Sequence, residues 1–346
     1  MVVSAAGLAS QRGVALVTAL LVVSVVTVAA VAMATRQHID VRRTGNLIHG
    51  EQAYDYALAA ESWARVILRR DLQDNDYDSL ADDWATALPP LAVEGGQVDG
   101  AVEDLQGRFN LNNLVDAKSG GGGEGRFGTV DEDASLAYYK RLLDLLGLEQ
   151  ALADALLDWV DADGNARYPN GAEDEFYLLL ERPYRTANRL LVSVSELRLV
   201  KGYDQPVMEL LLPHVTVLPE ETSINVNTAT PIVLQALNPE LSETDVSALI
   251  VDRGETGYEN INDFLSHNSL AGLELDVDVD VTSDFFMVLT DVVIGSSRVQ
   301  LESLLERLQD GSAASTRIVS RTRTRIRAPQ TEDEETGEPA GESPAT

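Results

Sequence analysis

The residues best suited to chemistry lie between Asp158 and Glu175. Asp158, Asp161 and Asp163, followed by Glu173, Asp174 and Glu175, put six carboxylates within eighteen positions against a single cation, Arg167. Charges of one sign at that density repel unless solvent or a bound cation intervenes. The stretches Asp163-Gly164-Asn165 and Pro169-Asn170-Gly171 are turn-forming, so hard oxygen donors sit on an adaptable loop. That arrangement suits Ca2+, which takes roughly six to eight oxygen ligands at about 2.3–2.6 Å. The EF-hand pattern does not fit, because Gly164 comes too early and Glu173 stands at position thirteen from Asp161 rather than twelve. A solvated acidic loop has the same composition, so the residues alone leave both readings open.

Other chemistries lack their parts. There is no cysteine, which removes disulfides, thiol nucleophiles and thiolate metal sites. His38, His49, His214 and His267 are scattered, with no ligand or acid at the spacing of a zinc site. No Gly-x-Ser-x-Gly elbow is present, and the glycine-rich stretch Ser119 to Gly128 lacks the Gly-Lys-Ser/Thr that grips phosphate. The chain reads as non-enzymatic. With 56 acidic against 26 basic residues the formal charge is −30, which opposes nucleic acid or anionic lipid as a partner.

The acidic segment needs a scaffold, and its flanks supply helices. Leu136, Tyr139, Leu142, Leu143 and Leu146 line one helix; Gly147 breaks it; Leu152, Leu156, Leu157 and Val160 line the next, which delivers Asp158 and Asp161. A second helical unit spans Ile224 to Leu265. In it Pro231 suits a first helical position, and Ser242 with Asp245 opens a helix that stops at Gly254. That unit has a helix-hairpin-helix-like signature, which raises a membrane-anchored DNA-binding receptor as the alternative function. Phosphate contact there needs glycine amides and a nearby cation, whereas the hairpin reads Asn238-Pro239-Glu240-Leu241.

On either side of these helices the pattern turns to strands. Leu91 to Glu94 and Val98 to Leu105 form a hairpin through Gly95-Gly96, and Phe285 to Ile294, Arg298 to Leu308 and Thr316 to Ile326 form a meander. Asp276, Asp278 and Asp280 alternate with valines as one solvated strand face. Arg321, Arg323 and Arg325 share a face of the last strand and are expected to meet acidic neighbours or a protein partner. The tail from Thr331 to Thr346 has six acids and no base, a composition that does not fold.

At the other end, Val14 to Ala34 is a run of twenty-one uncharged residues, long enough to cross about 30 Å of hydrocarbon as a helix. A secretory signal would place cleavage at Ala32-Met33-Ala34, but the apolar core is too long and Arg12 is its only basic leader residue. A plain signal anchor is the second reading. Arg36, Arg42 and Arg43 beyond the run outnumber the near side, so the positive-inside count opposes the orientation adopted below. From Arg36 to Asp71, Ile39, Leu47, Tyr54, Leu58 and Val66 continue at helical intervals, with a bend expected near Gly45 and Gly50.

The polar leader ending in Arg12-Gly13, the unbroken apolar helix and its amphipathic continuation resemble a type IV prepilin or pseudopilin N-terminus, with cleavage between Gly13 and Val14. Most of that family has Glu at the fifth mature position, where this chain has Thr18. A carboxylate in an apolar helix bundle is expensive without a partner, and a subunit lacking it has no reason to add beneath another. Together with Glu51-Gln52-Ala53-Tyr54, the run from Asp104 to Leu114, Pro169 to Asp174, Tyr184 to Asn188 and Ser195 to Arg198, this departure resembles the protein K family of type II secretion, the large minor pseudopilins.

The resemblance implies an α+β pseudopilin fold, a long N-terminal helix packed on an antiparallel sheet, with a large inserted all-α domain containing SAM-like and helix-hairpin-helix-like units. The expected divisions are a leader at 1–13, a transmembrane helix at 14–34, pseudopilin helix and first strands at 35–115, the insert with its calcium loop at 116–275, C-terminal strands at 276–328 and the tail at 329–346. It also implies structural Ca2+ on Asp161, Asp163, Glu173 and Asp174, with Asn165 as a further ligand and Asp158 a less direct one. Expected partners are the I-, J- and H-type minor pseudopilins, the inner-membrane secretion platform and prepilin peptidase. The chain would cross the bacterial inner membrane once, with its bulk in the periplasm.

Overall fold

The computed structural model describes residues 12–86, 88–115, 132–310 and 313–327. The expected leader up to Gln11, the glycine-rich stretch 119–128 and the acidic tail lie outside these residues.

One helix, α1 (Arg12–Asp74), dominates the N-terminal part; its 63 residues span roughly 95 Å. Its apolar run is exposed throughout and is long and apolar enough to cross a membrane. From Gly50 onward the buried positions Ala53, Ala57, Glu61, Ala64, Leu68 and Asp71 recur every three or four residues and face a sheet. The helix passes Gly45 and Gly50, where a bend is expected, without interruption. Glycine weakens a helix by about 1 kcal/mol but removes no backbone donor, so the hydrogen-bond ladder has no reason to break.

The sheet has five antiparallel strands in the order β1 (Leu88–Val93), β2 (Gly96–Asp104), β7 (Phe285–Ile294), β8 (Ser297–Asp310), β9 (Ala313–Arg327). Small residues on α1 let it approach closely: Ala53 and Ala57 pack on Val292, Ile294, Val299 and Leu301, while Ala64 and Leu68 pack on Phe286, Val288 and Leu305. Two buried charged groups fasten helix to sheet. Glu61 accepts from Ser303 Oγ at 2.6 Å and from Arg321 Nε and Nη2, both at 2.6 Å. Arg307 reaches Asp71 at 2.9 Å. Arg323 lies over the Tyr54 ring at 4.0 Å and near Glu51, so Arg321 and Arg323 of the arginine stripe meet α1 and its acids.

The described residues between β2 and β7 form an inserted helical unit. It comprises α2 (Glu132–Leu145), α3 (Ala151–Val160), α4 (Asp174–Tyr177), α5 (Gln205–Leu211), α6 (Pro231–Gln235), α7 (Glu243–Arg253) and α8 (Ile261–Leu265), with two short parallel pairings, β3 (Phe109–Asn110) with β4 (Val215–Thr216) and β5 (Ile224–Asn225) with β6 (Val279–Asp280). Its own apolar core includes Phe109, Tyr138, Leu156, Trp159, Tyr177 and Phe264. The alternation at 276–281 predicts a strand, yet only Val279 and Asp280 belong to one. Asp276 turns away to pair with Arg141 at 2.6 Å, and Asp280 Oδ1 accepts the Val281 N–H at 2.7 Å. Segment 276–284 thus stays with the insert.

Both ends of the insert are clamped at one point. Leu105 N–H donates to Phe285 O at 3.0 Å, and Gln106 Oε1 accepts from the N–H groups of Asp284 and Phe285. Buried Asp104 collects Asn225 Nδ2, Ser283 Oγ and Thr228 Oγ1. This root lies beside Leu68 and Phe286, at the end of α1 farthest from the apolar run.

Candidate metal centre

α3 ends where its chain must turn. Asp161 adopts an extended conformation and leaves the helix, while its N–H still bonds Leu157 O at 2.8 Å. Asp161 Oδ1 accepts the N–H of Asp163 at 3.3 Å, and Asp163 Oδ1 that of Asn165 at 2.7 Å, so each acid folds the next turn. Asp158, fully buried, receives the Arg167 N–H on both oxygens at 3.2 and 3.0 Å. A Cβ on Gly171 would stand 2.0 Å from Asp158 Oδ2 and 2.5 Å from Arg167 N, which explains glycine there.

The loop returns through Glu173, just before α4. Glu173 Oε2 accepts Thr186 Oγ1 at 3.1 Å; its Oε1 is buried with no hydrogen-bond partner. Carboxylate oxygens of Asp161, Asp163 and Glu173 lie within 4.8 Å of one another. Two oxygens on one Ca2+ at about 2.3–2.6 Å can stand no more than about 4.6–5.2 Å apart, so no pair in this set is too far apart to share an ion.

Little else neutralises these acids. Arg167 Nε comes no closer than 3.8 Å to Asp158 and 3.9 Å to Asp161, and its side chain is 45% exposed. Burial pushes Asp161 upward from its ordinary range, and Asp163 adds to the shift; burial likewise raises Glu173, with Asp158 and Asp161 adding. These are the responses of carboxylates short of positive charge.

Three of the five residues expected as ligands therefore converge. Asp174 is otherwise engaged: Oδ1 accepts Thr186 N and Oγ1 at 3.1 and 3.2 Å, and Oδ2 faces Arg185 at 3.3 Å. Asn165 is exposed and offers its backbone N–H to Asp163. The resemblance places Tyr184 to Asn188 in the calcium-site region, but nothing in the spacing gave Thr186 or Asn188 a role in the loop. Asn188, at φ 44°, donates Nδ2 to Asp163 O at 3.2 Å and its N–H to Trp159 O at 3.0 Å, pinning the loop to α3. Their approach from a distant segment left no spacing signal.

Gly13 and Val14 stand at the start of α1, where no body residue covers Val14. The Thr18 hydroxyl bonds back to Val14 O and Ala15 O, both at 3.0 Å, so it is satisfied within its own helix. At the hairpin between α6 and α7, the first-turn amide of α7 is taken by Ser242 and the Ser242 N–H by Asp245, a reciprocal cap. The group that would meet a DNA phosphate faces a carboxylate instead, and nothing supports the DNA-binding alternative.

Two models of one family, described as type II secretion system (T2SS) protein K, match residues 107–220 and 224–282. The type II secretion system protein K of Pseudomonas aeruginosa is 38% identical over 313 residues, covering 87% of this chain and 90% of the relative. That of Klebsiella pneumoniae is 36% identical over 316 residues, covering 86% and 93%. Among solved structures, a chain in the crystal structure of the GspK-GspI-GspJ complex from the enterotoxigenic Escherichia coli type 2 secretion system superposes with a TM-score of 0.69 at 25% identity, covering 82% of this chain and 99% of that one.

Proposed function

The chain belongs to the type II secretion system protein K family, and from that premise we propose that it is the large minor pseudopilin at the tip of the secretion pseudopilus. The supporting observation is the division of α1: its second half packs on the sheet, its first half leaves the body as an uncovered apolar helix, and the insert is rooted at the opposite end. A helix so divided can sit in a bilayer before assembly and among neighbouring helices afterwards. The insert then projects beyond the end of the shaft, where nothing needs to stack above it. Thr18, lacking a carboxylate, suits a subunit that starts the assembly rather than one added beneath another.

The role is mechanical and non-enzymatic, assisting export of folded proteins across the outer membrane. By the composition of the relative's complex, the nearest partners are the I- and J-type subunits, with the H-type below and the inner-membrane platform during assembly. The chain is anchored once in the inner membrane with its bulk in the periplasm, after prepilin peptidase cuts between Gly13 and Val14 and the new terminus is methylated. Within the insert we read α6 and α7 as a helix-hairpin-helix-like unit used for packing.

We also assign a structural Ca2+ to Asp161, Asp163 and Glu173, supported by the unpartnered Glu173 Oε1. The ion would close a loop otherwise held by few backbone hydrogen bonds. Mass spectrometry of the chain co-expressed with a prepilin peptidase tests the pathway. A methylated Val14 terminus is expected; a chain starting at Thr35, or left uncut, would overturn it.

A further inference from the structure

A second set of acids meets where the last turn of α1 joins the sheet. Asp71 from α1 and Asp78 and Asp82 from the following turn are 8%, 1% and 9% exposed, and bring carboxylate oxygens within 4.8 Å of one another. We propose that Asp71, Asp78 and Asp82 bind a divalent cation of the calcium class, separate from the acidic loop.

Hydrogen bonds to Asp82 and Asp78 hold the donors in place. Asp82 accepts Ser79 N–H at 2.7 Å on Oδ2 and Asn75 Nδ2 at 3.1 Å on Oδ1. Asp78 Oδ2 takes Ser283 N–H at 2.8 Å and the Arg307 guanidinium, whereas Asp78 Oδ1 is buried with no hydrogen-bond partner. A buried carboxylate oxygen without a donor loses its hydration with nothing in return, and a cation among these three acids would supply its missing partner.

Charge points the same way. Arg307 brings one positive charge to three negative ones, and Asp104 and Asp284 add to the negative side, Asp104 acting on Asp78 and Asp284 on Arg307. Arg70 faces outward to Asp74, 74% exposed, and leaves the balance unchanged. The donors are all oxygen, which selects a hard cation over zinc or copper. A cleft of about 290 Å³ lined by Asp71, Asn75 and Asp82 reaches the cluster from one side. A second, of about 360 Å³ and lined by Asp78, Ser283 and Arg307, reaches it from the other. Such an ion would tie the end of α1 to the turn carrying Trp84, which packs edge-on against Phe286 at 5.1 Å.

Trp84 also provides the readout, because its indole lies against Asp82. Full-length protein in detergent, carrying D161N and E173Q to silence the loop, is titrated with Tb3+ under tryptophan excitation and then competed with Ca2+. Sensitised emission is expected, displaced by Ca2+, largely lost in W84F and shifted to at least roughly tenfold weaker binding in D82N. If the loop variants fail to fold, W159F replaces them, since it removes the tryptophan beside the loop and keeps every carboxylate. Emission that W84F and D82N leave unchanged would assign the metal to surface acids and overturn the proposal. The absence of Ca2+-displaceable emission would leave a proton shared by Asp71 and Asp78 as the remedy, and would overturn it equally.

Discussion

Among the described residues, three carboxylates converge at two places, and the surroundings treat them differently. At the helix–sheet junction, Asp71 and Asp78 share Arg307, which is 3% exposed and stacks over Phe286 at 4.9 Å. Burial, with Asp78 and Asp82 beside it, still pushes Asp71 up to about 7. In the loop, Asp161, Asp163 and Glu173 have, among the described residues, only Arg167 as an ion-pair partner nearby, half exposed and with its Nε beyond direct hydrogen-bond reach. The junction has one counter-charge for its three acids built into its own strand, and a bound cation would add to it. The loop must borrow one from solution. The body should therefore keep its shape without calcium, whereas the loop should not.

The largest test removes the built-in charge. Arg307→Met leaves buried carboxylates uncompensated and should destabilise the body by about 3–5 kcal/mol, read from the urea midpoint of the full chain. Next comes calcium itself. With the ion at roughly 100 times Kd its withdrawal costs about 3 kcal/mol of stability, and D161N or E173Q should abolish the calcium-dependent rise in melting temperature. Gly171→Ala should cost on the order of 1–3 kcal/mol by forcing a methyl against Asp158, and should weaken calcium binding with it.

Acid sharpens the comparison further. Burial acts to raise Glu61, but hydrogen bonds from Arg321 and Ser303 outweigh it and hold the carboxyl below its usual 4.5. Since the folded value lies under the unfolded one, this pair's contribution is complete above pH 4.5 and is lost as pH falls through the lowered value. Melting temperature should thus decline on acidification at the helix–sheet seam, and Glu61→Gln should flatten that decline. The smallest effect belongs to Arg70→Ala. Its pair with Asp74 is exposed on both sides, and a change of at most about 0.5 kcal/mol is expected in the same melts.

What the sequence makes legible follows from how locally each feature is encoded. The apolar run, the extent of α1 and the three-strand meander are local patterns and appear where spacing puts them, but the face of α1 does not: Ile39, Leu47 and Val66 are exposed, and the small residues Ala53, Ala57 and Ala64 face the sheet instead. Asp161, Asp163 and Glu173 lie close enough in the chain for composition to announce them. The junction was not legible, because Arg307 meets Asp71 across 236 positions and neither residue is unusual where it stands. Thr186 and Asn188 were marked by resemblance alone, since spacing gives no sign of their contacts with Glu173 and Asp163. Alternating aspartates at 276–280 mimic a strand, yet Asp276 is drawn off by Arg141 and leaves only two residues for pairing. Local pattern names the elements. Side-chain pairing across the chain decides where they end.

Hydrogen exchange on the full-length chain, with calcium and then with a chelator, tests the contrast most directly. The account predicts that chelation opens residues 161–188 to exchange while β7, β8 and β9 stay protected, with a smaller loosening around 71–82. Unchanged protection in 161–188, or a loss spread equally over the sheet, would contradict it.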